Sequence, residues 1–196
     1  MTARAPATSR SDHQPTSRAR TVLGLSVLTC LGTASAVKTV PYGLNFGMTR
    51  AQIDRIIPLA AGKAGLYPSA SPTAGWQNFT VTISPASGLC ATNATSSAIP
   101  TNEQGVNVLP LMAKLNLTLR RAYGTPTTSP KNVPTSGLMT ALNKNPNLLT
   151  TRYRTPDGID VVLTALPVRQ AKPAGPLQAQ MQLKYSKNYT ACTRDL

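Results

Sequence analysis

The chain has 196 residues, room for one domain, and carries 20 Lys and Arg against six Asp and Glu, a net charge of +14. That imbalance favours polyanions, anionic surfaces or acidic protein patches as partners. One histidine, six acidic residues and three cysteines leave little from which to assemble hydrolytic or metal chemistry.

In chain order, Arg4, Arg10, Arg18 and Arg20 precede an apolar run from Val22 to Leu31, and Ala34-Ser35-Ala36 follows. Basic, apolar and then small residues make the order of a secretory signal, so residues 1–36 are predicted to be a signal peptide. Cleavage after Ala36 then leaves one domain, 37–196, in a secreted or periplasmic protein. The apolar run falls short of the about 20 residues that span a bilayer, and no transmembrane span is expected in the mature chain. An uncleaved anchor is the alternative, and lipidation at Cys30 is disfavoured by the bulk of Thr29 before it. Removing the segment takes four cations and one anion, so the remainder, 16 against five, is still basic.

Val40 and Tyr42 suggest a short first strand or an extended lead-in. Phe46-Gly47-Met48-Thr49-Arg50-Ala51-Gln52-Ile53 then reads as a turn delivering the chain into a capped helix. The Thr49 hydroxyl can accept from an amide of the first turn while Gln52 reaches back to the Thr49 amide, a capping box, and Met48 and Ile53 can close as a hydrophobic staple. Ile53, Ile56, Ile57 and Ala60 predict the apolar face, with Pro58 ending or kinking the helix. Residues 65–75, rich in Gly, Pro, Ser and Ala, read as a loop. Phe79, Val81 and Ile83 alternate with Thr80 and Thr82 as a strand, residues 84–88 turn, and residues 89–92 return antiparallel, carrying Cys90.

Residues 93–104 are polar and irregular. A second helix follows, with Pro110 near its start, Leu111, Leu115, Leu119 and Ala122 on its apolar face, and Met112 and Tyr123 flanking. Arg120 and Arg121 suit its last turn, Gly124 its cap, and Pro126 stops it. A turn or two of helix is placed at 136–142. Leu149, Thr151 and Tyr153 alternate into Pro156-Asp157-Gly158, and Ile159, Val161, Leu163 and Ala165 alternate out of it, a hairpin. Met181, Leu183 and Tyr185 mark a last strand before Cys192. The fold class expected is α+β: a two-layer sandwich with two main helices packed on an antiparallel sheet of about five strands.

These residues resemble the BamE-like (SmpA/OmlA) envelope proteins and the related beta-lactamase inhibitor protein fold. The likeness lies in Phe46-Gly47-Met48-Thr49 leading into a helix with Gln52 and Ile53, in the alternating strands, and in Tyr123-Gly124-Thr125-Pro126 closing a helix. It implies an exported protein that binds other proteins or the envelope without catalysis, and it transfers no binding residue.

Cys90 and Cys192 remain after the signal, and two cysteines in an oxidising compartment predict a disulfide; two thiols do not fill a tetrahedral metal site, and the only histidine, His13, leaves with the signal. No metal or cofactor is expected. Acid–base work would fall to Glu103, Asp54, Asp157, Asp160 or Asp195, of which only Asp157 and Asp160 can approach each other, around a hairpin whose turn chemistry already explains them. Arg120, Arg121, Arg152, Arg154, Arg169, Lys172, Lys184 and Lys187 concentrate in the second half. Arg152, Arg154 and Lys184 can share the solvated face of the sheet, and with Arg120 and Arg121 they form the candidate binding surface; charge for solubility and against edge pairing is the competing explanation. Low aromatic content argues against nucleic acid. Asn78, Asn93, Asn116 and Asn188 begin Asn-x-Ser/Thr sequons, read as coincidence in a Ser/Thr/Asn-rich chain, and Trp76 is read as an anchor rather than a ligand platform.

The function expected is a non-catalytic binding protein of the cell envelope acting through a basic surface on an envelope protein, an anionic polymer or a lipid surface. The alternatives are an inhibitor-like module that binds an extracellular enzyme and, behind it, an enzyme without a recognisable motif.

Overall fold

The capping box at Thr49 forms: the Gln52 amide donates to Thr49 Oγ1 at 3.4 Å and the Thr49 amide to Gln52 Oε1 at 2.8 Å. This computed structural model describes residues 41–69, 76–168, 176–194 and 196. The signal segment with His13 and Cys30, and Arg169, Lys172 and Asp195, lie outside the described residues. A short 3-10 turn, Pro41–Gly43, takes the place of the extended lead-in. The capped helix α1 (Arg50–Asp54) is only five residues long. Past Pro58, which has no amide to donate, the Leu59 amide is taken up by Asp54 Oδ1 at 3.1 Å. Because α1 stops early, its apolar spacing is lost: Ile53 and Ile57 are buried but Ile56 is 44% exposed, against expectation.

Among the described residues seven strands follow rather than about five: β1 (Leu66–Pro68), β2 (Asn78–Ser84), β3 (Gly88–Thr95), β4 (Ile99–Pro100), β5 (Thr150–Arg154), β6 (Ile159–Pro167) and β7 (Gln178–Lys187). Every pairing is antiparallel, in the order β1-β2-β3-β7-β6-β5, with β4 on β7. The α+β class stands and the strand count is corrected. Two of the added strands arise where loops were expected. Leu66-Tyr67-Pro68 pairs with Thr82-Val81-Thr80, and Ile99-Pro100 with Ala179-Gln178. Both are two or three residues long and end in proline, which an edge position tolerates.

Among the described residues there are four α-helices: besides α1 these are α2 (Val108–Tyr123), α3 (Leu138–Lys144), where a turn or two of helix was expected, and α4 (Tyr189–Thr193), which was not. The long helix α2 ends at Gly124 with Arg120 and Arg121 in its last turn, as expected, but Gly124, at φ 81° and ψ −149°, takes a conformation open essentially to glycine alone rather than the left-handed cap. Its buried residues are Val108, Met112 and Leu119, with Leu111 and Leu115 half-buried. Met112 is therefore central, and Ala122 lies exposed off the apolar face. The N-terminus of α3 is held by Glu103, whose carboxylate accepts from the Thr140 amide at 3.3 Å and from its hydroxyl.

One face of the sheet holds the core. Phe79 and Val81 of β2, Leu89 and Ala94 of β3, Ala179, Met181, Leu183 and Tyr185 of β7, Val161, Leu163 and Ala165 of β6 and Tyr153 of β5 are buried there with Leu44, Ile53, Met112, Leu138 and Leu142. Burying each of the larger side chains contributes roughly 1.5–3 kcal/mol. Trp76 is partly buried against the same cluster, an anchor as expected.

The stretch Phe46 to Thr49 is also bound into the sheet. The Gly47 amide donates to the Leu89 carbonyl and the Leu89 amide to the Met48 carbonyl, both at 2.8 Å, so this turn extends the β2–β3 hairpin at its tip. Gly88, at φ 71°, makes that approach possible: a Cβ there would run into the Gly47 carbonyl and lie 2.8 Å from the Met48 oxygen. Cys90 and Cys192 lie at disulfide distance, their Cα atoms 6.2 Å apart across 102 residues. The pair ties α4 to β3.

Three tyrosines stack beneath the end of α2: Tyr123 lies 6.5 Å from Tyr153 and 5.9 Å from Tyr185, ring to ring. Burial raises all three phenols above the ordinary value of 10.0. For Tyr123 the hydrogen bond with Tyr185 opposes the rise, for Tyr153 the charge of Arg120 does, and Tyr185 is raised further by Tyr123. A tyrosine whose folded pKa exceeds its unfolded one stabilises fully below the unfolded value and loses that contribution as pH climbs towards the folded one. The melting temperature should therefore hold to about pH 10 and fall beyond it, and Tyr185→Phe should flatten the fall. A thermal melt series across that range checks this, and equal slopes for the two proteins would count against it.

Candidate functional site

The face of the sheet opposite the core carries an ordered set of polar residues. Strand register places Arg152, Val162, Lys184, Asn93 and Thr80 on one rung across β5, β6, β7, β3 and β2. The rung on one side holds Thr150, Thr164, Gln182, Thr95 and Asn78, and the rung on the other begins Arg154, Asp160, Ser186. Direct partners in antiparallel strands project to the same face, on which Arg152, Arg154 and Asn78 are exposed, Lys184, Asn93, Thr80, Gln182, Thr95 and Val162 are half-buried, and Thr150, Thr164 and Ser186 are buried. Lys184 and Arg152 stand two strands apart, about 10 Å.

The cations on this face are not equivalent. Arg154 Nε lies 3.6 Å from Asp160 Oδ1, an exposed pair worth little in stability. Lys184 Nζ lies 3.8 Å from the centroid of the Tyr189 ring, which α4 brings back over the face. Among the described residues Arg152 has no acidic partner. It lines a cleft of about 270 Å³ together with Lys131, Asn145 and Asn147, so Lys131 joins the surface although sequence reading did not single it out. Only the pairing of Thr128 with Arg152 places that lysine there, a long-range contact with no local signal.

Arg120 and Arg121 do not join this surface. They lie in the last turn of α2, a helix that packs on the core side of β5 and β6. Arg121 is exposed, while Arg120 lines a separate cleft between α2 and β5. The five cations proposed from the sequence thus divide into three on the open face and two behind it.

Comparison with protein-family models, with curated proteins and with solved structures found no match.

Several of the acidic residues have structural partners. Asp54 lies 3.6 Å from Arg50, Asp160 faces Arg154, and Glu103 caps α3. Among the described residues no three His, Cys, Asp or Glu gather as a metal site, and no helix is long and apolar enough to cross a membrane. The sequon residues Asn78, Asn93 and Asn116 stand in β2, β3 and α2, and Asn116 is engaged by the Tyr153 hydroxyl.

Proposed function

We propose that the protein is a non-catalytic binding module of the cell envelope, exported by its N-terminal segment, that lays the open face of its sheet against an anionic polymer. The rung Arg152–Val162–Lys184–Asn93–Thr80 carries this reading, because it sets two cations about 10 Å apart on either side of Val162 and continues into the amide of Asn93 and the hydroxyl of Thr80. Hydroxyl and amide side chains can exchange hydrogen bonds with sugar hydroxyls, while the cations meet acid groups along a chain. The chain's overall positive charge acts in the same direction. The likeness of Phe46-Gly47-Met48-Thr49 to the BamE-like envelope proteins supports a binding role in that compartment, and the two-layer arrangement belongs to the same proposal.

The test is titration of the protein with an acidic polysaccharide such as polygalacturonate. Affinity should fall steeply between about 50 and 200 mM salt, because exposed charges are screened over about 10 Å. Arg152→Gln with Lys184→Gln should weaken binding by roughly tenfold or more, with the melting temperature lowered by only a few degrees through loss of the Lys184–Tyr189 contact. Salt-insensitive, tight binding to one extracellular enzyme would replace this reading with the inhibitor-like one. An unchanged affinity in the double variant would remove the open face from the account.

A further inference from the structure

The cleft on the other side of the sheet has features that polymer binding does not use. It holds about 310 Å³, at the small end of the range of roughly 300–1,000 Å³ for ligand clefts, and lies between α2, β5 and the segment after Pro126. Leu117 and Pro130 supply apolar wall, and Leu117 is 52% exposed. The polar groups converge at the β5 side. The Tyr153 hydroxyl donates to Asn116 across the cleft, 3.1 Å to the carbonyl and 3.2 Å to Oδ1, which orients the carboxamide. Arg120 stands close enough to Tyr153 for its charge to be felt by the phenol, and no acidic residue pairs with it among the described residues. Thr151 is buried, only 2% exposed, and its Oγ1 has no hydrogen-bond partner. An unpartnered buried hydroxyl destabilises the protein that contains it, and a ligand oxygen supplies the missing partner.

The geometry points to a binding site for a small monocarboxylate bearing an apolar group. A single guanidinium matches one negative charge, whereas a dianion would leave a charge uncompensated in a half-enclosed site. The planar fork of Arg120 meets a carboxylate in two parallel hydrogen bonds, Thr151 and the Asn116 amide supply further donors, and Leu117 and Pro130 take the apolar part. Such a carboxylate belongs either to a free short-chain acid or to the C-terminal residue of a peptide. This site lies behind the sheet and does not depend on the open face.

Titration of the full chain with N-acetyl-leucine, hexanoate and N-acetyl-leucinamide, followed by amide chemical shifts, tests it. Both or one of the carboxylates should shift the signals of Asn116, Leu117 and Thr151, and the neutral amide should bind at least about tenfold more weakly. Binding of hexanoate points to a free acid as the source; binding of N-acetyl-leucine alone points to a peptide terminus. Arg120→Gln, at an exposed position, should cost about tenfold in affinity without changing the melting temperature. Thr151→Val should raise the melting temperature and also weaken binding, whereas a purely structural hydroxyl would change only the first. The site is refuted if neither carboxylate perturbs the cleft at about 10 mM, if the amide binds as well as the acid, or if Arg120→Gln binds as the parent does.

Discussion

Gly88→Ala is expected to lower stability by roughly 2–5 kcal/mol, the sum of a left-handed backbone forced on an L-residue and a Cβ driven into the carbonyls of Gly47 and Met48. The two hydrogen bonds that join Gly47 and Met48 to Leu89 would have to open to admit it. Gly137→Ala is the control. Gly137 also has positive φ, 65°, with ψ 29° in the ordinary left-handed region, and open space surrounds its Cβ position, so only the conformational part remains, about 1 kcal/mol. Urea midpoints of the two variants separate the terms. Equal losses would show that the approach of the 46–49 turn to the hairpin contributes nothing.

Removing the cysteine pair should have an effect of similar size. The chain between Cys90 and Cys192 is long, with a separation of 102 residues, and restricting an unfolded loop of that length is worth about 2–5 kcal/mol, the lower part of the range if the reduced chain keeps structure. For a chain of this size that corresponds to a fall in melting temperature on the order of 10 °C. The double variant Cys90→Ala with Cys192→Ala, melted beside the parent in non-reducing buffer, measures it. Both side chains are buried, so alanine removes a little packing as well, and the parent melted under reduction controls for that part. If reduction leaves the parent's melting temperature unchanged, the pair does not stabilise the fold.

Where local chemistry decides an element, the sequence was readable. Thr49 and Gln52 satisfy each other within one turn, Gly124 and Pro126 close α2, and Pro156-Asp157-Gly158 turns the β5–β6 hairpin, all within a few residues of the feature they determine. Alternation likewise placed Tyr153, Val161, Leu163, Met181 and Tyr185 on the core face. The elements that escaped are set by distant partners. Leu66-Tyr67-Pro68 becomes a strand where β2 offers it an edge, Ile99-Pro100 where β7 extends past β3, and α4 lies against β2 and β3 with Cys192 beside Cys90. The same reason divides the candidate sites. Arg152 and Lys184 could be assigned to one face from pleat alone, but their common rung depends on β6 lying between them. Arg120 was visible as a charge, whereas its companions in the cleft, Tyr153 and Thr151, arrive from a strand some thirty residues on and carried no local mark of that meeting.

The placement of β7 bears on when the fold can form. The last strand to be synthesised sits between β3 and β6, so the β2–β3 and β5–β6 hairpins have no contact across the sheet until it enters. Pairing strands so distant in sequence is slow, because the loop must close before its contacts contribute. A growing chain therefore carries two open hairpin edges until β7 is available, and the sheet closes only when that strand enters between them.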